Sequence, residues 1–246
     1  MRTTWHMTAR RIGPAASLLL AGILLIAPVA SLEAAPPASI RTAVVLVAKR
    51  NPESGDYVPV GTAFHIGEGW FRSAAHVVTA TLPRRFEGKG LDQWSLFDAD
   101  EFGNPRRFVG PFEVLCVDTR WKRSDDDAVL PHDSALIRLM AGTPPAAALR
   151  IADRRPAVGE TVSVWGFPEG SVLFESRSTL LELSQEWVVI RNETGRPTIG
   201  GHSGSPVVDR GEFVIGILAG GVRGIAARQR AVTIWDAERG CPRPRQ

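Results

Sequence analysis

The sequence predicts an all-β protein, organised as a sandwich or a barrel. Many short apolar and β-branched runs are separated at short intervals by Gly, Pro, Asn and Asp, which is typical of all-β folds rather than of alternating strands and helices. No long amphipathic helical pattern occurs, and a short helical turn is expected only around Trp235–Gly240. The Pro- and Ala-containing stretch Gly142–Arg150 predicts a crossing between two halves of the chain.

The first 35 residues are expected to be a signal peptide. Three arginines precede 16 uncharged residues (15–30), and small residues follow. Cleavage between Ser31 and Ala35 would leave a domain of residues 36–246. An uncleaved membrane anchor is the alternative, but the apolar run is shorter than the ~18–20 residues that a span needs. We therefore expect a secreted or periplasmic protein without stable membrane association after the signal is removed.

Charge and cysteine content say little about partners. Without the predicted leader the chain carries 26 basic and 25 acidic residues. No basic face or stripe stands out, so a nucleic-acid partner is not expected. Cys116 and Cys241 are the only cysteines, and an exported protein could join them. Because their separation in space is unknown from the sequence, the disulfide stays open at this stage.

The predicted strands fall into two sets. The first set comprises Thr42–Ala48, Tyr57–Ile66, Gly69–Val78, Arg106–Val117 and Ser134–Leu139. The second set comprises Glu160–Phe167, Ser171–Ser178, Glu186–Asn192, Ser205–Asp209, Phe213–Gly221 and Ala231–Trp235. Between the strands, Asp125-Asp126-Asp127 lies in a highly charged segment, which favours a solvated loop over a cation site.

Ser203 lies in the glycine-rich stretch "IGGHSGSPVVD", and this setting makes it either a turn residue or a nucleophile. The nucleophile elbow of α/β-hydrolases has the motif G-x-S-x-G, which requires glycine where this chain has Ser205. That class also needs a histidine after the serine, and no histidine follows Ser203. The esterase hypothesis therefore fails.

An upstream histidine and aspartate supply the other known order of a serine-hydrolase triad. His76 follows small residues in "SAAHVV", and Asp133 precedes the apolar run "SALIRL". The order His76, Asp133, Ser203 fits two successive β subdomains, with the first two residues on one subdomain and the serine on the other.

Four segments in this order resemble the trypsin-like (chymotrypsin-fold) serine peptidases: "GTAFHIGEGWFRSAAHVV", "HDSALIRL", "GGHSGSPVV" and "VIGILAGG". The form of the last two is most similar to the bacterial exported branch that contains the glutamyl endopeptidases. The resemblance implies two antiparallel six-stranded β-barrels, at about 40–141 and 150–236, with the active site in the cleft between them. A short C-terminal helix would follow the second barrel.

The resemblance also implies residue roles. His76 would take the proton of the Ser203 hydroxyl, and Asp133 would hold the imidazole in the required tautomer. The backbone N–H groups of Gly201 and Ser203 would form the oxyanion hole. The substrate would be a protein or peptide, and no metal ion or organic cofactor is expected.

The other histidines of the predicted domain are not expected to be catalytic. His65 and His132 are expected to be structural, although His132 adjoins Asp133 and could tune its surroundings. Animal digestive members of the family carry an aspartate where this chain has His202, and there it pairs with an N-terminus released by zymogen cleavage. We therefore expect signal removal alone to give a competent enzyme.

Substrate-binding residues implied by the resemblance are Thr198, Leu218, Ala219, Gly220 and Gly221. The glutamyl endopeptidases have a histidine at the position of Leu218, so an acidic preference loses its clearest support.

No acidic residue lies in 195–201, so a preference for Lys or Arg is also unsupported. A small or medium apolar side chain is the remaining expectation for P1, the substrate residue whose carbonyl is attacked, although Arg223 could restore an acidic preference. A catalytically silent, protein-binding relative is the alternative function. The sequence leaves the natural substrate and the oligomeric state open.

Overall fold

The computed structural model describes residues 38–51, 53–79, 94–100, 102–122, 131–194, 200–222 and 225–243. Several predictions from the sequence fall outside these ranges: the signal peptide (1–35), the Asp125–Asp127 loop, Thr198 and Arg223. Each of these stays a prediction.

Thirteen strands and three short helices make up the described part of the chain. The strands are β1 Val44–Arg50, β2 Tyr57–Gly67, β3 Trp70–Ser73, β4 Trp94–Ala99, β5 Pro105–Val117, β6 Ala135–Leu139, β7 Arg150–Ile151, β8 Thr161–Gly166, β9 Phe174–Leu183, β10 Trp187–Asn192, β11 Pro206–Val208, β12 Phe213–Val222 and β13 Ile225–Thr233. The helices are α1 Ala38–Ala43, α2 Ala75–Val78 and α3 Ile234–Gly240, with a 3₁₀ turn at Pro168–Gly170. None of the helices in these ranges has the length and apolar character needed to cross a membrane.

The first barrel is closed and antiparallel, with the strand order β1-β2-β3-β6-β5-β4. The valine-rich start of β1 is buried along its whole length, from Val44 to Val47. Such a run suits a strand whose faces are both covered, because β-branched side chains pack well on a pleated surface. Phe64 of β2 and Phe71 of β3 fill the same core.

The second barrel has the order β11-β8-β9-β10-β13-β12 and closes where β11 pairs with β12. The short strand β7 adds to this sheet in parallel to β12. The prediction of two antiparallel six-stranded barrels is therefore confirmed, and so is the short C-terminal helix. Trp165, Phe167 and Val208 of the second half belong to the same apolar cluster as the first barrel, so the two barrels share a packed interface.

Several of the strand predictions were wrong. The strand expected at Gly69–Val78 stops at Ser73, and the single-turn helix α2 follows it and carries His76. β4 was missed altogether. Near the C-terminus, Thr233 ends β13 and starts α3, because its hydroxyl accepts a hydrogen bond from the backbone N–H of Asp236 and so caps the helix.

The C-terminal helix α3 and the residue after it, Cys241, are bound to strands of the first barrel. The side chain of Arg72 on β3 is fully buried and donates to the carboxylate of Glu238 and to the backbone carbonyl of Cys241, both at 2.6 Å. Burial lowers the pKa of the Arg72 guanidinium, and Glu238 opposes that shift. Cys241 is also joined to Cys116 of β5 by a disulfide, which resolves the question that the sequence left open.

Removing this disulfide is expected to destabilise the fold by about 2–5 kcal/mol, because it closes a long loop in the unfolded chain. Cys116→Ser/Cys241→Ser should therefore unfold at lower denaturant than the wild type, and adding a reductant should shift the wild type alone. Equal unfolding midpoints for the two proteins under oxidising conditions would contradict this prediction.

Candidate active site

His76 and Asp133 form a doubly hydrogen-bonded pair on the first barrel. The ring Nδ1 of His76 lies 2.5 Å from Oδ2 of Asp133, and the backbone N–H of His76 donates to Oδ1 at 2.9 Å. The Asp133 side chain is 5% exposed and that of His76 is 41% exposed. A buried carboxylate with both oxygens engaged fixes the ring and leaves its Nε2 side facing outward from the pair.

Strand pairing explains why these two residues meet. β3 and β6 are antiparallel neighbours, and Ser73 pairs with Ala135. His76 follows the end of β3, while Asp133 precedes the start of β6, so both leave the sheet at the same edge. The turn of helix α2 then points the backbone N–H of His76 at the carboxylate. Two residues 57 positions apart are thus neighbours through one strand pair.

Ser203 lies in a tight turn that requires glycine on both sides. Gly201 (φ +93°) and Gly204 (φ +86°) adopt left-handed backbone conformations that favour glycine. A Cβ on Gly201 would lie 2.2 Å from the carbonyl oxygen of Phe167. A Cβ on Gly204 would lie 2.0 Å from the carbonyl oxygen of Thr62. The turn is therefore held by backbone on both sides, and a side chain at either glycine would displace it.

Thr62 of β2 is the residue that joins this turn to the first barrel, and sequence reasoning missed it. Its backbone N–H donates to the carbonyl of Ser203 at 2.8 Å. Its hydroxyl donates to the carbonyl of Gly201 at 2.7 Å and accepts from the backbone N–H of Phe167. Thr62 is fully buried. Its only signal in the sequence was a position inside the family-like segment "GTAFHIG", where a hydroxyl interrupts an apolar run.

Gly61 lies between the turn that carries Ser203 and the helix that carries His76, and it lets the two approach each other closely. A Cβ on Gly61 would lie 2.6 Å from both methyl groups of Val77 and 3.0 Å from the carbonyl oxygen of Ser203. Val77 is the residue after His76 on α2. The absence of a side chain at Gly61 therefore lets the histidine helix and the serine turn approach across β2.

Two backbone amides beside Ser203 remain available. Within the described ranges, the N–H groups of Gly201 and Ser203 have no hydrogen-bond acceptor, whereas the N–H of Gly204 donates to the carbonyl of Leu218. Unpaired amides next to a half-buried hydroxyl are suited to binding a negatively charged oxygen. The arrangement provides a hydroxyl, a histidine–carboxylate pair and two free donors.

His65 has a structural role. Its Nδ1 donates to the carbonyl of Ala147 at 2.7 Å, and its Nε2 accepts from the backbone N–H of Gly69. Burial lowers the pKa of His65, with the bond to Ala147 opposing that shift, so this ring is neutral near pH 7.

His132 has a partner on the C-terminal helix. Its Nδ1 lies 2.6 Å from Oδ2 of Asp236, and its backbone has a φ of +65°. The residue before Asp133 is therefore braced against α3.

One cluster behind the site has the composition of a metal centre. Ligand atoms of Asp118, His132 and Asp236 lie within 4.8 Å of one another. Arg120 already donates to both carboxylates, at 2.6 Å to Asp118 and 2.9 Å to Asp236. Hydrogen bonding to Asp118, the largest cause, raises the pKa of Arg120 further above its usual range. Because a guanidinium serves as the cation here, the cluster fits a structural brace better than a metal site.

His202 is buried beside the nucleophile candidate. Its ring lies 6.4 Å from the ring of Phe174, and neither ring nitrogen has a hydrogen-bond partner among the described residues. Burial lowers the pKa of His202 to about 4. The ring of His202 is therefore neutral at pH 7.

The expected substrate-binding residues lie along β12. Leu218 and Ala219 are buried, Gly220 is half-buried and Gly221 is exposed. β11 pairs with β12 only as far as Ile217, and Leu218 then exchanges hydrogen bonds with Gly204 and Ser205. Beyond Leu218, the edge of β12 that faces the serine turn has no strand partner in the described part of the chain. An unpaired strand edge can accept an extended peptide as an added strand.

A family model described as "Trypsin-like peptidase domain" matches residues 61–217. This range contains His76, Asp133 and Ser203. A search of curated proteins found no significant match.

Solved structures support the same fold at low identity. The active form of the Rv3671c protease of M. tuberculosis has a TM-score of 0.57 and 21% identity, with 82% of this chain and 81% of that chain covered. A serine endoprotease of Yersinia pestis has a TM-score of 0.57 and 16% identity over 79% of this chain and 60% of that chain. A scabies mite inactivated protease paralogue has a TM-score of 0.60 and 15% identity over 81% and 92%.

The buried neutral His202 should make the fold acid-sensitive. The unfolded chain takes up a proton at this residue below about pH 6.5, whereas the folded chain does so only near pH 4. Stability should therefore fall as the pH drops through this window, by roughly 3 kcal/mol from this group. Denaturant titrations between pH 7 and pH 4 should show a smaller loss for His202→Asn than for the wild type. Parallel losses in the two proteins would contradict this assignment.

Proposed function

The chain belongs to the family of trypsin-like peptidases, and on this premise we propose that it is a serine endopeptidase that uses Ser203, His76 and Asp133. The observation that carries the proposal is the pair of hydrogen bonds between His76 and the buried Asp133, next to a glycine-flanked serine turn. The glutamyl-endopeptidase branch is not part of this proposal, because Leu218 stands where that branch has its histidine.

In the proposed reaction, the Ser203 hydroxyl attacks the peptide carbonyl while the Nε2 of His76 accepts its proton. Asp133 accepts a hydrogen bond from Nδ1, which fixes the tautomer and stabilises the imidazolium that forms. His76 then donates the proton to the leaving amine, and an acyl-enzyme remains on Ser203. Water, activated by the same ring, hydrolyses the acyl-enzyme and restores the serine.

The oxyanion of the tetrahedral intermediate would be bound by the backbone N–H groups of Gly201 and Ser203. Neither N–H has another acceptor among the residues that the structure describes, which supports this role. One such donor is worth roughly 2.7–4 kcal/mol in other hydrolases. Thr62 acts indirectly, because it holds the carbonyls of Gly201 and Ser203 and so fixes the turn that orients both donors.

Ser203→Ala should abolish activity while leaving the fold intact, because a methyl side chain fits wherever the hydroxymethyl does. A fluorophosphonate probe should label the wild type and fail to label this variant. Asp133→Asn should lower kcat by about 10⁴-fold, because the amide favours the wrong tautomer of His76. Labelling of Ser203→Ala at the wild-type rate would show that another residue reacts and would refute the assignment.

A catalytically silent, protein-binding relative is the second candidate. One neighbour in fold is described as an inactivated protease paralogue, so the fold alone does not decide activity. The intact His76–Asp133 pair favours an enzyme. A folded wild type that neither reacts with the probe nor cleaves any peptide would favour the binding function instead.

We also propose that the protein is exported and needs no second cleavage to become active. The basic, apolar and small-residue order of residues 1–35 supports export. His202 supports constitutive activity, because it is buried and neutral and offers no carboxylate for a new N-terminus to pair with.

Secreted material should therefore begin near Ala35 and be active as isolated. N-terminal sequencing in parallel with probe labelling measures both properties on one sample. Labelling that appears only after a further, internal cut would contradict the proposal, and a retained N-terminus would favour the tethered form.

A further inference from the structure

The end of the second barrel near the serine turn is lined by buried polar groups that have no hydrogen-bond partner in the described part of the chain. Each lining residue is at most 3% exposed and has at least one polar side-chain atom with no hydrogen bond in the described part of the chain. This polar lining consists of Ser176, Ser178, His202, Ser205 and Gln229.

The strand pairing directs Ser176 and Ser178 into the barrel. On β9 they alternate with outward residues, and they pair with Val164 and Val162 of β8, which belong to the apolar core of the barrel. Paired residues of neighbouring strands share a face of the sheet.

Gln229 of β13 shares this interior. It pairs with Ile190 of β10 on one side and with Gly221 of β12 on the other. Ile190 is a core residue of the barrel, whereas Gly221 is exposed at its mouth. The fully buried amide of Gln229, with both Oε1 and Nε2 unpartnered, therefore lies between the core and the opening beside Gly221.

His202 and Ser205 extend the lining to the nucleophile. A Cβ on Gly166 would lie 2.0 Å from the Ser205 hydroxyl and 3.3 Å from the ring of His202. Gly166 pairs with Phe174, which stands two residues before Ser176 on the same face of β9. The lining thus runs from the turn that carries Ser203 to the interior of the barrel.

Leaving so many donors and acceptors unpaired is costly, because each buried polar atom without a partner disfavours the folded state. A set of five such residues in one region is suited to a partner that carries hydrogen-bonding groups. The five are uncharged at neutral pH, since His202 has a pKa of about 4. They supply both donors and acceptors, which suits a neutral polar group and offers no counter-charge to an ionised one.

We propose that the polar lining is the floor of the P1 pocket and selects a carboxamide side chain, glutamine or asparagine, with Gln229 as its main partner. This inference rests on the proposed peptidase function. A peptide paired with the open edge of β12 would have its attacked carbonyl at Ser203 and its P1 side chain directed between that edge and the serine turn. Gly220 and Gly221 leave that entrance free of side chains.

A carboxamide can donate to and accept from Gln229 at once, and the serine hydroxyls can rotate to satisfy its remaining groups. Lys or Arg at P1 would meet no carboxylate in the lining, and Glu would meet no cation. The apolar P1 residue expected from Leu218–Gly221 alone would leave the polar atoms of the lining unpaired.

The test uses four peptides that differ only at P1, with Gln, Glu, Leu or Lys, and measures kcat/KM. The wild type should cleave the Gln peptide at least ~10-fold faster than the Leu peptide, because a site built for hydrogen bonds rejects a side chain that lacks them. Gln229→Met keeps the length of the side chain and removes the amide. It should lower the Gln/Leu ratio by about ten-fold or more, chiefly through the Gln peptide.

Arg228→Met is the matched control, because this neighbour is exposed on the opposite face of β13 and should leave the ratio unchanged. If Gln229→Met does not fold, Ser178→Ala replaces it and should also lower the ratio. A wild-type preference for Leu or for a charged P1 would overturn the inference, and so would a ratio that Gln229→Met leaves unchanged. Cleavage of none of the peptides together with no labelling by the fluorophosphonate probe would instead reject the peptidase function.

Discussion

The hydrogen bonds of Thr62 are the constraint on which the site depends. Every proposed catalytic group lies on a short segment that follows or precedes a strand of one of the two barrels. Direct contacts between the barrels are needed to keep these segments in fixed positions relative to one another. Thr62 uses its backbone N–H and its hydroxyl on the two carbonyls that flank His202 in the serine turn. These bonds hold the backbone of the turn at Gly201 and Ser203, the two residues whose N–H groups are the proposed oxyanion donors. A single buried residue of the first barrel thus fixes a turn that belongs to the second.

The first barrel also positions the proposed acid–base pair through a small number of contacts. The β3–β6 pairing brings His76 and Asp133 together, and the brace from His132 to Asp236 and Arg120 supports the segment just before Asp133. The Asp236 side chain is fully buried, and that of His132 is 14% exposed. The geometry of the reacting groups therefore depends on contacts made by residues outside the proposed triad.

Most of the architecture could be predicted from the sequence, because strand punctuation and the order of four family-like segments are local signals. The two barrels and the C-terminal helix followed from them. The helix at His76 did not, because Ala, His and Val also suit a strand, and the change at Ser73 is set by pairing with Ala135. The contacts of Thr62 and the burial of Gln229 were equally hidden. Both features depend on residues that are far away along the chain, and the sequence on either side of Thr62 or Gln229 does not indicate those contacts.

The burial of Arg72 has a consequence for the order in which the molecule can be assembled. Its guanidinium belongs to β3 of the first barrel, yet its partners, Glu238 and the carbonyl of Cys241, lie 166 and 169 positions further along the chain, after the second barrel. Until they arrive, closing the first barrel would enclose a cation without a counter-charge. The first barrel should therefore complete its folding only together with the C-terminal helix, so that the two halves of the chain fold as one cooperative unit.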